Sequence, residues 1–238
     1  MFNATLTSTR MTDALREQIE YYEARAPEYD DWYFRRGRYD WGPELNLAWA
    51  QEADEVRRDF IQFRGFNETL ELAAGTGIWT TELLNSSQQV TCLDASETMI
   101  EINRAKQNSD RVTYHQTDLF TWQPDTQYDL VFNSFWLSHV PSDQLAPFLE
   151  KVAGALKSDG LYYFIDSRLA RTSRAKDHEA PEVDTGISNR KLNDGREFQI
   201  IKIFHDPEKL TAQMLNAGLK ADIKTTENYF LYGTARRC

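Results

Sequence analysis

Cysteine is scarce in this chain. Cys92 and Cys238 are the two present, too few for a disulfide framework and without the spacing of a zinc site, so a reducing, cytoplasmic setting is expected. Long apolar runs are missing too. None approaches the roughly 20 residues that cross a bilayer, and the stretch holding Asn3, Thr5, Thr7 and Ser8 has no signal-peptide core. Positive charge is in deficit: 27 Lys and Arg stand against 37 Asp and Glu, a net −10 that argues against nucleic acid or an anionic membrane as partner. Metal-ligand clusters are also lacking. His178-Glu179 and Glu182-Asp184 read as solvated charge in a polar stretch and His205-Asp206 as a helix entry, so no metal is expected. There is no internal repeat and no low-complexity tract.

What is present suits a soluble globular protein. At 238 residues, 41% hydrophobic and 27% charged, the chain fits one large α/β domain with additions. Aromatic residues crowd into two places, Tyr21 to Trp49 and Phe132 to Trp136. Basic side chains concentrate at Arg35, Arg36 and Arg38 and again between Arg168 and Lys176. Solvated surface charge accounts for most of them, yet a local basic pocket on an acidic protein suits a small anionic ligand better than a polyanion.

In chain order, residues 1–11 are polar and expected to fray. The pattern predicts a helix from Thr12 to Ala26 with Leu15, Ile19 and Tyr22 as its apolar stripe, ended by Pro27, which pushes its predecessor out of the α region. Residues 28–40 are aromatic and basic without periodicity, which suits either an active-site lid or an aromatic clasp that only packs on the main domain. A second helix is expected over Leu45 to Phe63, with Trp49, Ala53, Val56 and Phe60 at core spacing and Gly65 past its end. Strands at 69–73, 90–94, 112–115, 128–134 and 160–166 then alternate with helices around 80–84, 96–103 and 145–156. That rhythm indicates βαβ units and a parallel sheet. It breaks at the polar stretch 167–184. Asn193-Asp194-Gly195 marks a hairpin between 187–192 and 197–204, a helix follows over 206–216, and strands at 219–226 and 229–235 close the chain. The expected division is 1–64 as helices and aromatic flap over an active site and 65–238 as core, with 167–204 as a substrate-side insert.

The stretch Glu71-Leu72-Ala73-Ala74-Gly75-Thr76-Gly77-Ile78-Trp79 sets a glycine turn between a strand and a helix start. There the backbone can approach a ligand, and the helix offers free N–H groups. It departs from a dinucleotide fingerprint, because Thr80 stands where the third glycine belongs, and it has no Walker lysine. Acids recur instead: Glu71 before the turn, Asp94 ending strand two, Asp118 after strand three. Asp94 is suited to accept from both hydroxyls of a ribose without a 2′-phosphate. Asp118 can accept from an exocyclic amine such as that of adenine while the Leu119 N–H donates to a ring nitrogen, and Met99 can cover the base. Any one of these acids alone reads as a loop carboxylate or a helix cap. Three at successive strand ends, where open α/β sheets bind ligands, point to a nucleoside-type cofactor.

These segments resemble the class I S-adenosylmethionine (SAM)-dependent methyltransferases. Glu71 to Gly77 is similar to that family's first motif, Leu93-Asp94-Ala95-Ser96 to its second and Gln116-Thr117-Asp118-Leu119 to its third. Asp129 to Asn133 with Leu137 to Val140 resembles the segment over the methyl-transfer site, and Leu156 to Gly160 the loop before strand five, with Ser158 where proline is common. The resemblance implies a Rossmann-like seven-stranded sheet with an antiparallel last strand, and SAM as cofactor. It implies Glu71, Ala73, Gly75, Gly77, Asp94, Ala95, Met99, Asp118, Leu119 and Asn133 as cofactor contacts. A narrower resemblance is carried by Tyr21-Tyr22-x-x-Arg25-Ala26-x-x-Tyr29-Asp30 and by Arg190 to Phe198. It is to bacterial small-molecule O-methyltransferases of the dehydrophos phosphonate type. It implies that the N-terminal helix and flap close over SAM, with Tyr22, Tyr29 and Trp79 near its methionine end.

Methyl transfer from a sulfonium is an in-line displacement dominated by positioning and water exclusion. A phenol or alcohol acceptor needs a base, and His139, just past strand four, is the candidate; a loop histidine that only packs is the equal alternative. A phosphonate or carboxylate is already ionised at pH 7 and needs a cation to orient it. Arg25, Arg36, Arg168, Arg196 and Lys202 are candidates, Arg168 foremost because it follows strand five, and each equally reads as a surface ion pair. Trp136 is expected beside the acceptor. The expected activity is methyl transfer to oxygen of a small anionic metabolite. Nitrogen or carbon acceptors, a SAM-binding regulatory subunit and an NAD-dependent oxidoreductase are the alternatives, the last disfavoured by Thr80.

Overall fold

The computed structural model describes residues 2–238, with side chains from Arg10 onward. The strands are β1 (Phe66–Leu72), β2 (Ser87–Asp94), β3 (Val112–Gln116), β4 (Tyr128–Ser134), β5 (Leu156–Ser167), β6 (Ile187–Lys191), β7 (Glu197–Ile201), β8 (Leu219–Thr225) and β9 (Phe230–Arg237). The helices are α1 (Phe2–Arg25), α2 (Tyr29–Tyr33), α3 (Pro43–Phe60), α4 (Thr80–Ser86), α5 (Glu97–Gln107), α6 (Ser142–Ala155) and α7 (Pro207–Asn216). Seven strands form one sheet in the order β3-β2-β1-β4-β5-β9-β8, and β6 with β7 forms a separate hairpin after β5. β1 to β5 pair in parallel, and β9 runs antiparallel to both of its neighbours. The strand order departs in opposite directions from β1 and β4, so their carboxyl ends make the switch point at which such sheets bind ligands.

Alternating apolar side chains fill both faces. Leu130 and Phe132 of β4 and Tyr163 and Ile165 of β5 enter one cluster with Phe60 of α3 and Trp79. Val131, Tyr162 and Phe164 enter the other with Phe148 and Leu149 of α6 and Met214 of α7. A parallel sheet needs both faces covered in this way, because its strands are apolar on either side.

The N-terminal segment departs most from expectation. Met1 lies outside the described residues, but from Phe2 the backbone is already helical, and fraying over 2–11 gives way to one continuous α1. No glycine or proline interrupts residues 2–25, so nothing in that stretch stops the helix. Its buried face is Ala14, Gln18, Tyr21 and Arg25 rather than Leu15, Ile19 and Tyr22. The reason is where α1 lies, across the sheet's carboxyl edge. Glu17 accepts from the Gln199 N–H at 2.7 Å and Gln18 from the Ile201 N–H at 3.0 Å, both on the hairpin. Glu23 accepts from Ser96 Oγ at 2.6 Å, at the start of α5. Residues 28–40 are tied down as well: Trp32 Nε1 donates to the Ser173 carbonyl at 2.8 Å, Arg35 donates to the Thr172 carbonyl, and Arg38 pairs with Asp177 at 2.7 Å. Arg35 and Arg38, read from sequence as part of a basic cluster, are staples between this segment and the polar stretch 167–184.

Candidate active site

Two cavities open at the carboxyl ends of the strands beneath α1, and they share a wall. The first encloses about 670 Å³ including its mouth. Ala73, Gly75, Asp94, Ala95, Ser96, Met99, Asp118, Leu119, Phe120, Ser134, Phe135 and Trp136 line it from the sheet, and Gln18, Ile19, Tyr22, Tyr29 and His139 close it. Asp94 is held rigidly: Oδ2 accepts from the Gly75 N–H at 2.8 Å and Oδ1 from the Ser96 N–H at 2.9 Å. A carboxylate has about four lone-pair sites, so each oxygen keeps capacity for a ligand. Burial pushes this carboxyl up and the two amide bonds oppose the shift. Asp118 accepts from the Phe120 N–H at 2.9 Å, and Met99 is buried, its N–H held by the N-cap Ser96 at 3.0 Å. Ala73 and Phe135 take φ of 54° and 57°, left-handed values that cost a non-glycine residue about 1–2 kcal/mol. Both sit on this wall.

The two glycines of the turn act differently. Gly75 has φ 54° and open space where a Cβ would project, as a ligand-facing turn requires. At Gly77, φ is 81° and a Cβ would meet Asn103 Oδ1 at 2.3 Å, so this glycine lets α5 approach the turn. Behind it, Thr80 donates to Glu71 Oε2 at 2.6 Å, Cys92 Sγ lies 3.3 Å from the same oxygen, and Asn103 Nδ2 donates to Thr80 Oγ1 at 2.9 Å. Burial pushes the Glu71 carboxyl up to about 7. Thr80 at the third-glycine position is therefore one link in a buried polar chain that braces the turn from behind.

The second cavity, about 520 Å³ including its mouth, lies beyond Tyr22, Tyr29, Phe135 and His139, which line both. Arg25, Arg174, Arg190 and Lys202 enter it with Tyr21, Tyr39, Ser173 and His178, and among the described residues no carboxylate lines it. Arg25 is boxed by tyrosines, its guanidinium carbon 4.8 Å from the Tyr29 ring centroid and 5.5 Å from that of Tyr21, a cation–π arrangement. Lys202 Nζ donates to Ser138 Oγ at 2.7 Å and stands 3.6 Å from Asp166. Burial lowers its ammonium to about 8.

The geometry fixes the tautomer of His139. Nδ1 lies 2.6 Å from the Ile201 carbonyl, which only accepts, so Nδ1 carries the hydrogen. Nε2 is then the acceptor for the Tyr22 hydroxyl at 2.8 Å. Burial and the Lys202 charge hold His139 well below its ordinary value, so the ring is neutral at pH 7.

Ala73, Gly75, Asp94, Ala95, Met99, Asp118, Leu119, Tyr22, Tyr29 and Trp136 come together in the first cavity, and Arg25 and Lys202 in the second. The others lie elsewhere. Glu71 and Gly77 serve the turn from behind, and Trp79 packs on Phe60 and Phe132 while lining a small crevice beside Gly75. Asn133 is buried beneath the site, accepting from the Tyr162 hydroxyl. Arg168 turns away, donating to the Thr226 and Glu227 carbonyls at the end of β8. Arg36 is exposed near Asp31, and Arg196 pairs with Asp194 at 2.8 Å on the hairpin turn. Arg174, His178 and Phe135 were missed. The basic run from Arg168 to Lys176 was the available signal for Arg174, whereas nothing local marks Phe135. Among the described residues no His, Cys, Asp and Glu group could hold a metal, and no helix is long and apolar enough to cross a membrane.

Residues 69–160 match the family model of the methyltransferase domain. DhpI in its complex with S-adenosylhomocysteine (SAH) has the same fold at a TM-score of 0.74, with 33% identity over 95% of this chain and 98% of that one. The DhpI–SAM–HEP complex gives 34% identity at the same TM-score. Demethylmenaquinone methyltransferase of Leptospira interrogans is 34% identical over 137 residues, 53% of each chain. Malonyl-[acyl-carrier protein] O-methyltransferase of Bacillus cereus is 28% identical over 146 residues, 56% of this chain and 52% of that one. The chain spans about half to two thirds of the length of the curated relatives it matches. Because the likeness to DhpI, at one-third identity, runs through nearly all of both chains, this chain belongs to the class I SAM-dependent methyltransferases.

Proposed function

We propose that this protein transfers a methyl group from SAM to an oxygen of a small anionic acceptor, a phosphonate or a carboxylate. One observation carries the reading: a cavity lined by four cations and, among the described residues, no carboxylate shares the wall of Tyr22, Tyr29, Phe135 and His139 with the first cavity. The first cavity fits SAM. Asp94 has acceptor capacity for ribose hydroxyls, Asp118 and the Leu119 N–H would meet the base, Met99 and Phe120 supply apolar walls, and Gly75 leaves room for close approach. SAM supplies an electrophilic sulfonium methyl when bound.

The chain's own residues do the rest by placement. α1 and residues 28–40 cover both cavities and exclude water, and the shared wall sets where acceptor and cofactor meet. Lys202, Arg190 and Arg25 favour an ionised acceptor oxygen. That oxygen provides the electron pair of the new O–C bond, the S–C pair returns to sulfur, and no proton has to be removed. Methylation of oxygen is named for the Bacillus cereus relative. The hydroxyl-acceptor reading would need His139 as base. Its Nε2 already accepts from Tyr22, and Lys202, Arg190 and Arg25 all oppose a positive charge on the ring.

Turnover assays with SAM against phosphonates, carboxylates and phenols test this directly; phenols as the sole acceptors would refute it. With an anionic acceptor, His139→Ala should leave the pH profile of the rate unaltered, and loss of its acid limb, where a general base becomes protonated, would reinstate the hydroxyl reading. Asp94→Ala is expected to weaken SAM binding by about 1.5–3 kcal/mol, the usual worth of hydrogen bonds to a charged group. Titration calorimetry reads that change, and unchanged affinity would remove Asp94 from the ribose site.

A further inference from the structure

The second cavity has two ends. At one, His139 lines both cavities and Lys202 donates to Ser138 beside it; at the other, Arg174 and His178 line the second cavity alone. Arg25 lies between them. Tyr22 stands 5.3 Å from the His139 ring and Tyr39 6.3 Å from the His178 ring, and the Arg25 guanidinium carbon is 5.9 Å from the first tyrosine and 5.7 Å from the second. Arg25 thus stands beside two rings, one next to His139 and the other next to His178.

Charge is distributed just as unevenly. Lys202 has Asp166 at 3.6 Å as its counter-charge. Arg25, Arg174 and Arg190 have no carboxylate within ion-pair distance among the described residues. Arg190 is 7% exposed, and its Nη1 donates to the neutral Ser188 Oγ at 2.5 Å and to the Asn189 carbonyl at 3.1 Å. Buried Nε and Nη1 of Arg174 have no hydrogen-bond partner, and neither has Arg25 Nε. Buried cations without counter-charge are costly, and a ligand that supplies the charge recovers that cost on binding. His178 does not supply it. Its Nε2 lies 3.2 Å from the Lys191 N–H, the Lys191 carbonyl and Arg38 Nη2, and burial with the Arg190 charge lowers the ring to about 3, so it is neutral at pH 7.

We propose that the acceptor carries two separated anionic groups. The oxygen that takes the methyl lies at the Lys202–His139 end, a second carboxylate, phosphate or phosphonate is held by Arg174 at the His178 end, and Arg190 serves both. This rests on the proposed function and narrows its substrate class. Arg25 spans the middle and is shared by both groups.

The test compares one-group compounds (acetate, methylphosphonate) with two-group compounds of increasing spacer length (phosphonoacetate, 3-phosphonopropionate, glutarate). SAH formation is followed with the wild-type protein, Arg174→Gln and Arg174→Lys, and the same compounds are titrated into SAH-loaded protein to read binding apart from turnover. The best two-group compound should exceed its one-group counterpart at least tenfold in kcat/KM, chiefly through KM. Arg174→Gln should lower kcat/KM for that compound tenfold or more and for one-group compounds less than threefold, and Arg174→Lys should recover part of the preference. Equal kcat/KM for the two classes, or a KM increase alike for both in Arg174→Gln, overturns the second anion site and leaves methyl transfer to anions intact. If no anion of either class binds or reacts and neutral phenols do, the proposed function falls and this inference with it.

Discussion

Lys202→Met is expected to lower kcat/KM for the anionic acceptor by about 100-fold or more, with SAM affinity unchanged within about twofold. Removing one member of a buried, hydrogen-bonded charge contact costs about 3–4 kcal/mol, and each 1.4 kcal/mol is tenfold. The loss should fall on the acceptor alone, because Lys202 lines the second cavity and not the first. A pH signature accompanies it. The ammonium, lowered to about 8 by burial, is fully charged below that pH and neutral above it. Its attraction for an anion is therefore present at pH 7 and lost as the pH rises through about 8, so wild-type kcat/KM should fall on that alkaline limb. Lys202→Arg stays charged across the range and should carry the limb beyond pH 10. A limb at the same pH in Lys202→Arg, or near-normal kcat/KM in Lys202→Met, would show that this cation does not hold the acceptor.

Most of the first cavity's sheet-side lining was legible in the sequence, and less of the second's was, for a physical reason. Asp94, Asp118 and the turn at Gly75 each lie at the carboxyl end of a strand whose apolar run is visible locally, and a parallel sheet gathers those ends at one edge. Local pattern plus one topological rule is enough to assemble that cavity. The cations of the second cavity come from α1, from the polar stretch 167–184 and from the hairpin, three segments with no common periodicity. Whether an arginine there meets a ligand or a carbonyl is decided by tertiary contacts. Arg168 follows β5 as expected, yet it faces β8 and satisfies two carbonyls. Arg174, six positions on, faces the cavity with unpartnered nitrogens. The face of α1 was misread for a related reason. A helix that roofs a polar cavity buries Gln18 and Arg25 and leaves Ile19 over the cofactor side, reversing the rule that the apolar stripe points inward.

Glu71 shows how a motif residue can brace the turn from behind. Its carboxyl, taken from sequence as a cofactor contact, is 1% exposed and joined to Thr80 and Cys92. Burial raises it from 4.5 to about 7, so the folded protein keeps this proton to higher pH than the unfolded chain does. Its stabilising contribution is full below about pH 4.5 and is lost as pH rises through about 7, by about 3 kcal/mol in all at 1.36 kcal/mol for each pH unit between the two values. Glu71→Gln keeps an acceptor for the Thr80 hydroxyl and removes the titration. Urea unfolding at pH 5 and pH 8 should then show the variant gaining about 2.5 kcal/mol on the wild type between the two pH values, because part of the loss has already occurred at pH 5. Parallel pH dependence in the two proteins would mean that Glu71 is not the protonated member of this chain. A flatter profile in Glu71→Gln, with SAM affinity retained, would identify Glu71 as a brace of the turn that positions the cofactor cavity from behind.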